Sequence, residues 1–358
     1  MSDSKVRILA VGDIMLGNGP LCPQAGVGAA IKRGGSEGIF EHVRPILAKG
    51  DVVFGNLEAV LAENEPRDKT LTLIGSSHSV SGLKYAGFNV LSVANNHALE
   101  HGKDSLEYTV KLLESHDIKC IDNKTKGNNS GGLQFMDCGD TRMAFLAYCL
   151  TGGPAASTTT DNPEEIYEHI RHASLLADAV VVSMHWGDEY IQRLSASQIE
   201  TAHRMIDAGA SLVLGHHPHV IQPIERYKNA LIAYSLGNFV FDIGYIPQTR
   251  RSIILECQMT RGGAVTGYNI HPVIINNQFQ PVPLDSVQKA AALKEMERLN
   301  EYALTASEAY PASYKSELVV ARKQARKAMK RYFLKNLLRY PPGFTFRVAR
   351  EYLGKCLK

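Results

Sequence analysis

Short apolar, β-branched runs punctuate the first two-thirds of the chain. They are VRILAV at 6–11, DVVF at 51–54, NVLSV at 89–93, AVVVSM at 179–184, SLVL at 211–214 and ALIAY at 230–234. Runs of this length and composition predict strands. Between them, IFEHVRPILAKG (39–50), DSLEYTVKLLESHD (104–117), PEEIYEHIRHASLLAD (163–178) and SASQIETAHRMIDAGA (195–210) carry the spacing of amphipathic helices. Pro163 opens an acidic first turn, Ser195 or Ser197 is a candidate N-cap, and Gly209 stops the last helix. Such alternation predicts an α/β fold. Polar or Gly-rich links at 26–38, 124–132 and 151–162 read as surface loops. At 251–283 the pattern turns strand-like with turns, which predicts a meander or hairpin closing a second sheet. From about Ser286 the chain is helical and charged, with breaks near Pro311 and at Pro341-Pro342. The organisation predicted is an α/β domain at 1–285 and a helical, basic C-terminal extension at 286–358.

Composition adds little until it is divided along the chain. With 358 residues, 44% of them hydrophobic, the chain can bury a full core, and a formal net charge of +3 points to no partner. Residues 315–358, however, hold 13 Lys and Arg against 2 Asp and Glu, so an acidic body carries a basic tail. Six scattered cysteines without a C-x-x-C pair fit a reducing compartment. The chain enters a strand-like run within its first residues, and no stretch approaches the roughly 18–20 apolar residues of a membrane span. The expectation is a cytoplasmic chain.

The chemistry lies where the runs end. Asp13 follows the first, Asn56 and Glu58 the second, and Asn95, Asn96 and His97 the third. His185 follows the fourth, with Asp188 and Glu189 just beyond; His216, His217 and His219 follow the fifth, and Asn238 the sixth. In α/β folds the loops beyond the carboxyl ends of the strands converge, so these groups are predicted to share one site. A single such residue reads as a turn or cap. The whole set, carboxylate with amide and imidazole and no thiolate, reads as a metal site for Zn, Mn or Fe, with Ca or Mg as further candidates.

In order along the chain, GDIMLG, GNLE, ANNHALEHG, HWGDEY, GHHPHVIQPIE and SLGNFVFD resemble the motifs of the CapA family, the capsule and poly-γ-glutamate biosynthesis proteins of the calcineurin-like metallophosphoesterase superfamily. The resemblance spans about residues 6–245. It implies a metallophosphoesterase-like α/β/β/α sandwich of two mixed sheets with the metal at one edge. It also implies metal ligation by Asp13, Asn96, His185, His217 and His219, and a catalytic role for His97, with His219 and Asp13 as further acid or base groups. The D-x-H motif of the phosphoesterase superfamily is here Asp13-Ile14-Met15, which removes one imidazole, and Glu58 is the candidate for the bridging carboxylate. One tightly bound divalent metal is the expectation. On an extended segment alternate residues face one way, so His217 and His219 are predicted to reach the centre together while His216 points elsewhere.

Three functional classes follow. The first is a metal-dependent hydrolase acting on a peptide, polyglutamate or phosphate-containing substrate in capsule or peptide biosynthesis. The second is a metal-dependent acid/base epimerase of a peptide, and the third a non-catalytic accessory subunit of a polymer synthase. The partner expected in the first two is an anionic polymer or peptide. In the basic tail, Leu318, Ala325, Met329, Tyr332, Phe333, Leu337 and Tyr340 lie close to helical spacing, so a helix packed on the body is one reading. A helix peripheral to an anionic membrane surface is another, and a dock for a polyanionic or acidic-peptide partner a third. No nucleic-acid motif accompanies the charge, so no nucleic-acid partner is expected.

Overall fold

The computed structural model describes residues 5–22, 24–63, 73–122, 132–152, 162–304, 310–340 and 343–345. The first sheet comprises β1 (Val6–Ile14), β2 (Val52–Leu57), β5 (Val90–Ser92), β6 (Lys119–Ile121), β13 (Asn238–Val240), β14 (Arg251–Met259), β15 (Val265–Ile275) and β16 (Pro281–Pro283). Its order is β16-β15-β14-β1-β2-β5-β6, with β13 also pairing β1. The second sheet holds β7 (Gln134–Cys138), β8 (Thr141–Cys149), β9 (Ala179–His185), β10 (Leu212–His216), β11 (Ile224–Tyr227) and β12 (Ala230–Ala233), in the order β11-β12-β10-β9-β8-β7. A small pair, β3 (Val60–Ala62) and β4 (Ile74–Ser76), lies apart.

Both sheets are mixed, and three apolar layers hold the molecule together. Ile8, Phe54 and Val90 of the first sheet meet Phe145, Val181 and Leu214 of the second in the central layer. The other face of the first sheet is covered by α1 (Val27–Gly34), α2 (Glu37–Phe40), α3 (Arg44–Leu47), α4 (Ser79–Ala86) and α5 (Lys103–Ser115), through Phe40, Leu83, Leu106 and Leu113. The outer face of the second is covered by α6 (Pro163–Ser174) and α7 (Ala196–Asp207), through Ile166, Ile170 and Met205. This is an α/β/β/α sandwich. Strands covered on both sides need apolar residues at every position, which is why the strand runs carry no alternation.

Helix starts follow local chemistry. Asn162 caps α6 by accepting from the Glu164 N–H, with Pro163 in the first turn. Ser195 caps α7 in a capping box with Gln198.

Several sequence expectations are corrected. The stretch 39–50 is not one helix: α2 and α3 are separate turns, with Pro45 in the first turn of α3, where its missing N–H costs nothing. The link 26–38 contains α1. The meander does not close the second sheet; β14 pairs antiparallel with β1 and so extends the first. Most of the links 124–132 and 151–162, and Pro341-Pro342, lie outside the described residues.

Beyond β16 come α8 (Ser286–Leu304) and α9 (Tyr310–Lys335). From α8, Met296 enters the central layer, Asn300 accepts the Ile224 N–H at 2.8 Å, and Glu295 pairs with Arg251.

Candidate metal centre

Register places the polar residues. On β1, Asp13 lies beside Asn56 of β2 and Asn238 of β13. On the second sheet, His185 of β9 lies beside His216 of β10. The close approach of β1 to β13 depends on glycine, because a Cβ at Gly12 would sit 1.8 Å from the Gly237 carbonyl oxygen. Beyond β10 the chain does not stay extended. His217 and His219 have φ of 94° and 58°, left-handed values that cost non-glycine residues energy and persist where surrounding structure imposes them.

The cluster formed is almost wholly buried. Asp13, Asn56, Glu58, His216 and Asn238 are inaccessible, and His185, His217 and His219 nearly so. From Oε1 of Glu58, Nε2 of His97 lies 3.8 Å away and Nε2 of His185 and of His219 each 3.9 Å. Ligand atoms from Glu58, His217 and His219 lie within 4.8 Å of one another, as do those from Asp13, Glu58 and His185. The Asn96 carboxamide oxygen is 2.7 Å from His185 Nε2. All six residues expected as ligands are therefore brought together, with His97 at their edge.

A second ring orients the first. Asn56 donates to Asp13 Oδ1 at 2.8 Å, and the His217 N–H points at Asp13 Oδ2 at 3.3 Å. His219 Nδ1 lies 2.8 Å from Asn238 Oδ1 and 3.4 Å from Asp13 Oδ2, leaving Nε2 to face Glu58. His97 differs in that its side chain is 28% exposed, and its Nδ1 lies 2.7 Å from Glu100 Oε2.

Two sequence expectations fail here. His216 does not point away: its Nδ1 is 3.4 Å from Asp13 Oδ1, and the left-handed turn after it is what brings His217 and His219 to Glu58. Asp188 does not join the cluster; it accepts from the Tyr314 hydroxyl at 2.7 Å and from Arg322 at 2.8 Å, both on α9. Met15 lies in the apolar layer under the helices. Glu100 was not singled out, although its i,i+3 spacing from His97 was the available signal.

The donors fit a divalent cation. Both Glu58 oxygens, both His216 ring nitrogens and His217 Nδ1 are buried without a hydrogen-bond partner. A carboxylate so placed costs several kcal/mol unless a cation compensates. Atoms bound to one ion at about 2.0–2.2 Å sit about 3–4 Å apart, the spacing around Glu58 Oε1.

Electrostatics agree. Burial pushes the Glu58 carboxyl well above its usual range, and the Asp13 charge adds to this. Burial works the same way on Asp13, but contacts with His216 and His219 hold it well below. Burial, aided by neighbouring imidazoles, lowers His185 and brings His217 down to about 3, so both stay neutral and able to ligate. Burial opposes the charge on His219 too, yet Glu58 and Asp13 raise it to about 10. Without a cation, the pocket holds protons in its place.

Fold and cluster together define an α/β sandwich with a carboxylate, amide and imidazole centre at its strand exits. Residues 7–243 match the bacterial capsule synthesis protein family PGA_cap, and the chain belongs to that family. A capsule biosynthesis protein CapA of Bacillus anthracis is 33% identical over 73% of this chain and 66% of its own length. The chain thus spans just under two-thirds of that relative. The PGA biosynthesis protein CapA of Bacillus subtilis is 32% identical over 84% of this chain and 80% of its own. Among solved structures, a phosphatase from Mycoplasma pneumoniae aligns with a TM-score of 0.46 and 12% identity, covering 76% of this chain and 94% of that one.

Proposed function

We propose that the chain is a metal-dependent hydrolase of a polyglutamate or related peptide, serving the synthesis of a capsule-type polymer. One observation carries the reading: Glu58, buried among imidazoles, has no hydrogen-bond donor for either oxygen. Asp13, Glu58, Asn96, His185, His217 and His219 would hold one divalent ion. Once bound, it supplies a Lewis acid that polarises the scissile carbonyl and activates water.

The chain's own residues do the rest. His97 is the imidazole at the cluster that reaches solvent, and Glu100 against Nδ1 directs Nε2 inward. It therefore delivers a proton to the leaving nitrogen. Asn56 and Asn238 fix Asp13 and His219, so the donors meet substrate without reorganising. In this reading residues 1–285 carry the chemistry, and 286–358 are a helical, basic extension. The names of the relatives support the polymer. The apolar burial of Met15 supports one tight ion and slow turnover of simple phosphodiesters.

The test is metal analysis of purified protein, followed by incubation with poly-γ-glutamate and with bis-p-nitrophenyl phosphate, with and without chelator. About one metal per chain and chelator-sensitive scission of the polymer are expected. Solvent deuterium entering at Cα without scission would make the protein an epimerase. Chelator-insensitive behaviour with no bound metal would leave only the accessory role.

A further inference from the structure

The two sides of α9 differ. Its inner side is committed to the body: Tyr314 and Arg322 bond Asp188, Glu317 pairs with Arg193 at 2.6 Å, and the Tyr332 hydroxyl lies 3.3 Å from Cys22 Sγ. Ala325 is buried on the same side. At 3.6 residues per turn, positions 319, 323, 326, 327, 330 and 334 face away from those contacts, whereas Ser316 and Val320 line a cleft shared with Tyr190 and Leu299 of the body.

A helix docked by one side ordinarily presents only polar residues on the other. Here Val319 is 66% exposed, Leu334 56% and Leu338, in the turn after the helix, 100%. Between the aliphatic ends lie Lys323, Arg326, Lys327, Lys330 and Arg331, and no acidic residue occurs from 318 to 340. Among the described residues no helix is long and apolar enough to cross a membrane.

We infer that the outer face of α9 lies on an anionic lipid surface. The pattern selects that partner over a soluble polyanion. A polyanion would neutralise the cations and leave the leucines in water, whereas a bilayer interface takes the ammonium groups among its phosphates and the aliphatic tips at the acyl boundary. This surface is independent of the metal chemistry.

Co-sedimentation of the full chain with vesicles tests it, using phosphatidylcholine alone and phosphatidylcholine containing roughly 30% phosphatidylglycerol. Binding to the anionic vesicles alone is expected, weakening as salt rises. Lys323→Gln with Lys327→Gln should weaken it about tenfold, and Leu334→Ser with Leu338→Ser by a similar factor. All four side chains are exposed, so melting temperature and metal content should not move. Failure to bind anionic vesicles would overturn the inference. So would binding that ignores the leucine changes, since charge alone would then be the determinant and a soluble polyanion the partner.

Discussion

Among the described residues, two of the clusters that combine imidazole with carboxylate are finished differently. In one, Glu225 accepts from His203 Nε2 at 2.9 Å and from the Tyr234 hydroxyl at 2.7 Å, so both oxygens are satisfied by the protein. The His203 ring also stacks on Tyr227 at 3.9 Å. In the other, Glu58 has imidazoles near one oxygen at 3.8–3.9 Å and donors at neither. The first network is complete and therefore structural. The second is complete only with a cation, and it is the missing partner, more than the residue types, that marks a site.

Glu58→Gln should separate the two most sharply. It removes the central charge among the donors, a change on the scale of about 3–5 kcal/mol for a buried charge. Metal affinity by competition with a chelator should fall more than 100-fold, by that same estimate of about 3–5 kcal/mol. Glu225→Gln should leave it unchanged; equal losses in both would erase the distinction.

Next in size, His97→Ala should lower turnover by about 100-fold or more while metal content stays near wild type. His185→Ala and His217→Ala should lose metal as well as activity. If His97→Ala also emptied the centre, His97 would be a ligand.

On stability the order reverses. Glu225→Gln leaves a partly buried network short of an acceptor and should cost about 1–3 kcal/mol in denaturant melts. The intact site should instead gain about 2.7 kcal/mol when metal is supplied at 100 times its dissociation constant, by mass action alone.

The smallest effect is a proton count. Metal-free His219 is held protonated to about pH 10, above its ordinary 6.5. Its contribution to metal-free stability is thus full below pH 6.5 and lost as pH rises through about 10. A ligand must be neutral, so metal binding should release a proton and tighten as pH rises between these limits. Calorimetry in buffers of different ionisation heat measures the release; binding that weakens with rising pH would remove His219 from the ligand set.

Much of this was legible in the sequence, for definite reasons. Strands buried on both sides must be apolar throughout, so six of them announced themselves. β8 escaped because Arg142 near its start and Tyr148 and Cys149 at its end disguise a strand that is buried apart from Arg142. The meander was visible as strands, but its sheet was not, because only tertiary pairing sets β14 beside β1. At the site, residue types at strand exits marked the region, while the family resemblance singled out Asp13, Glu58, Asn96, His185, His217 and His219 within it. The reason offered for the last two was wrong, since left-handed backbone at a His-Pro-His turn leaves no periodic trace.

The span of the cluster has a kinetic consequence. Its donors come from both sheets and from positions as far apart as Asp13 and His219, so no local segment can chelate early. Such non-local contacts form only after the chain has closed long loops. A cation present during refolding should therefore leave the folding rate nearly unchanged and slow unfolding, stretching the lifetime of the native chain without hastening its birth.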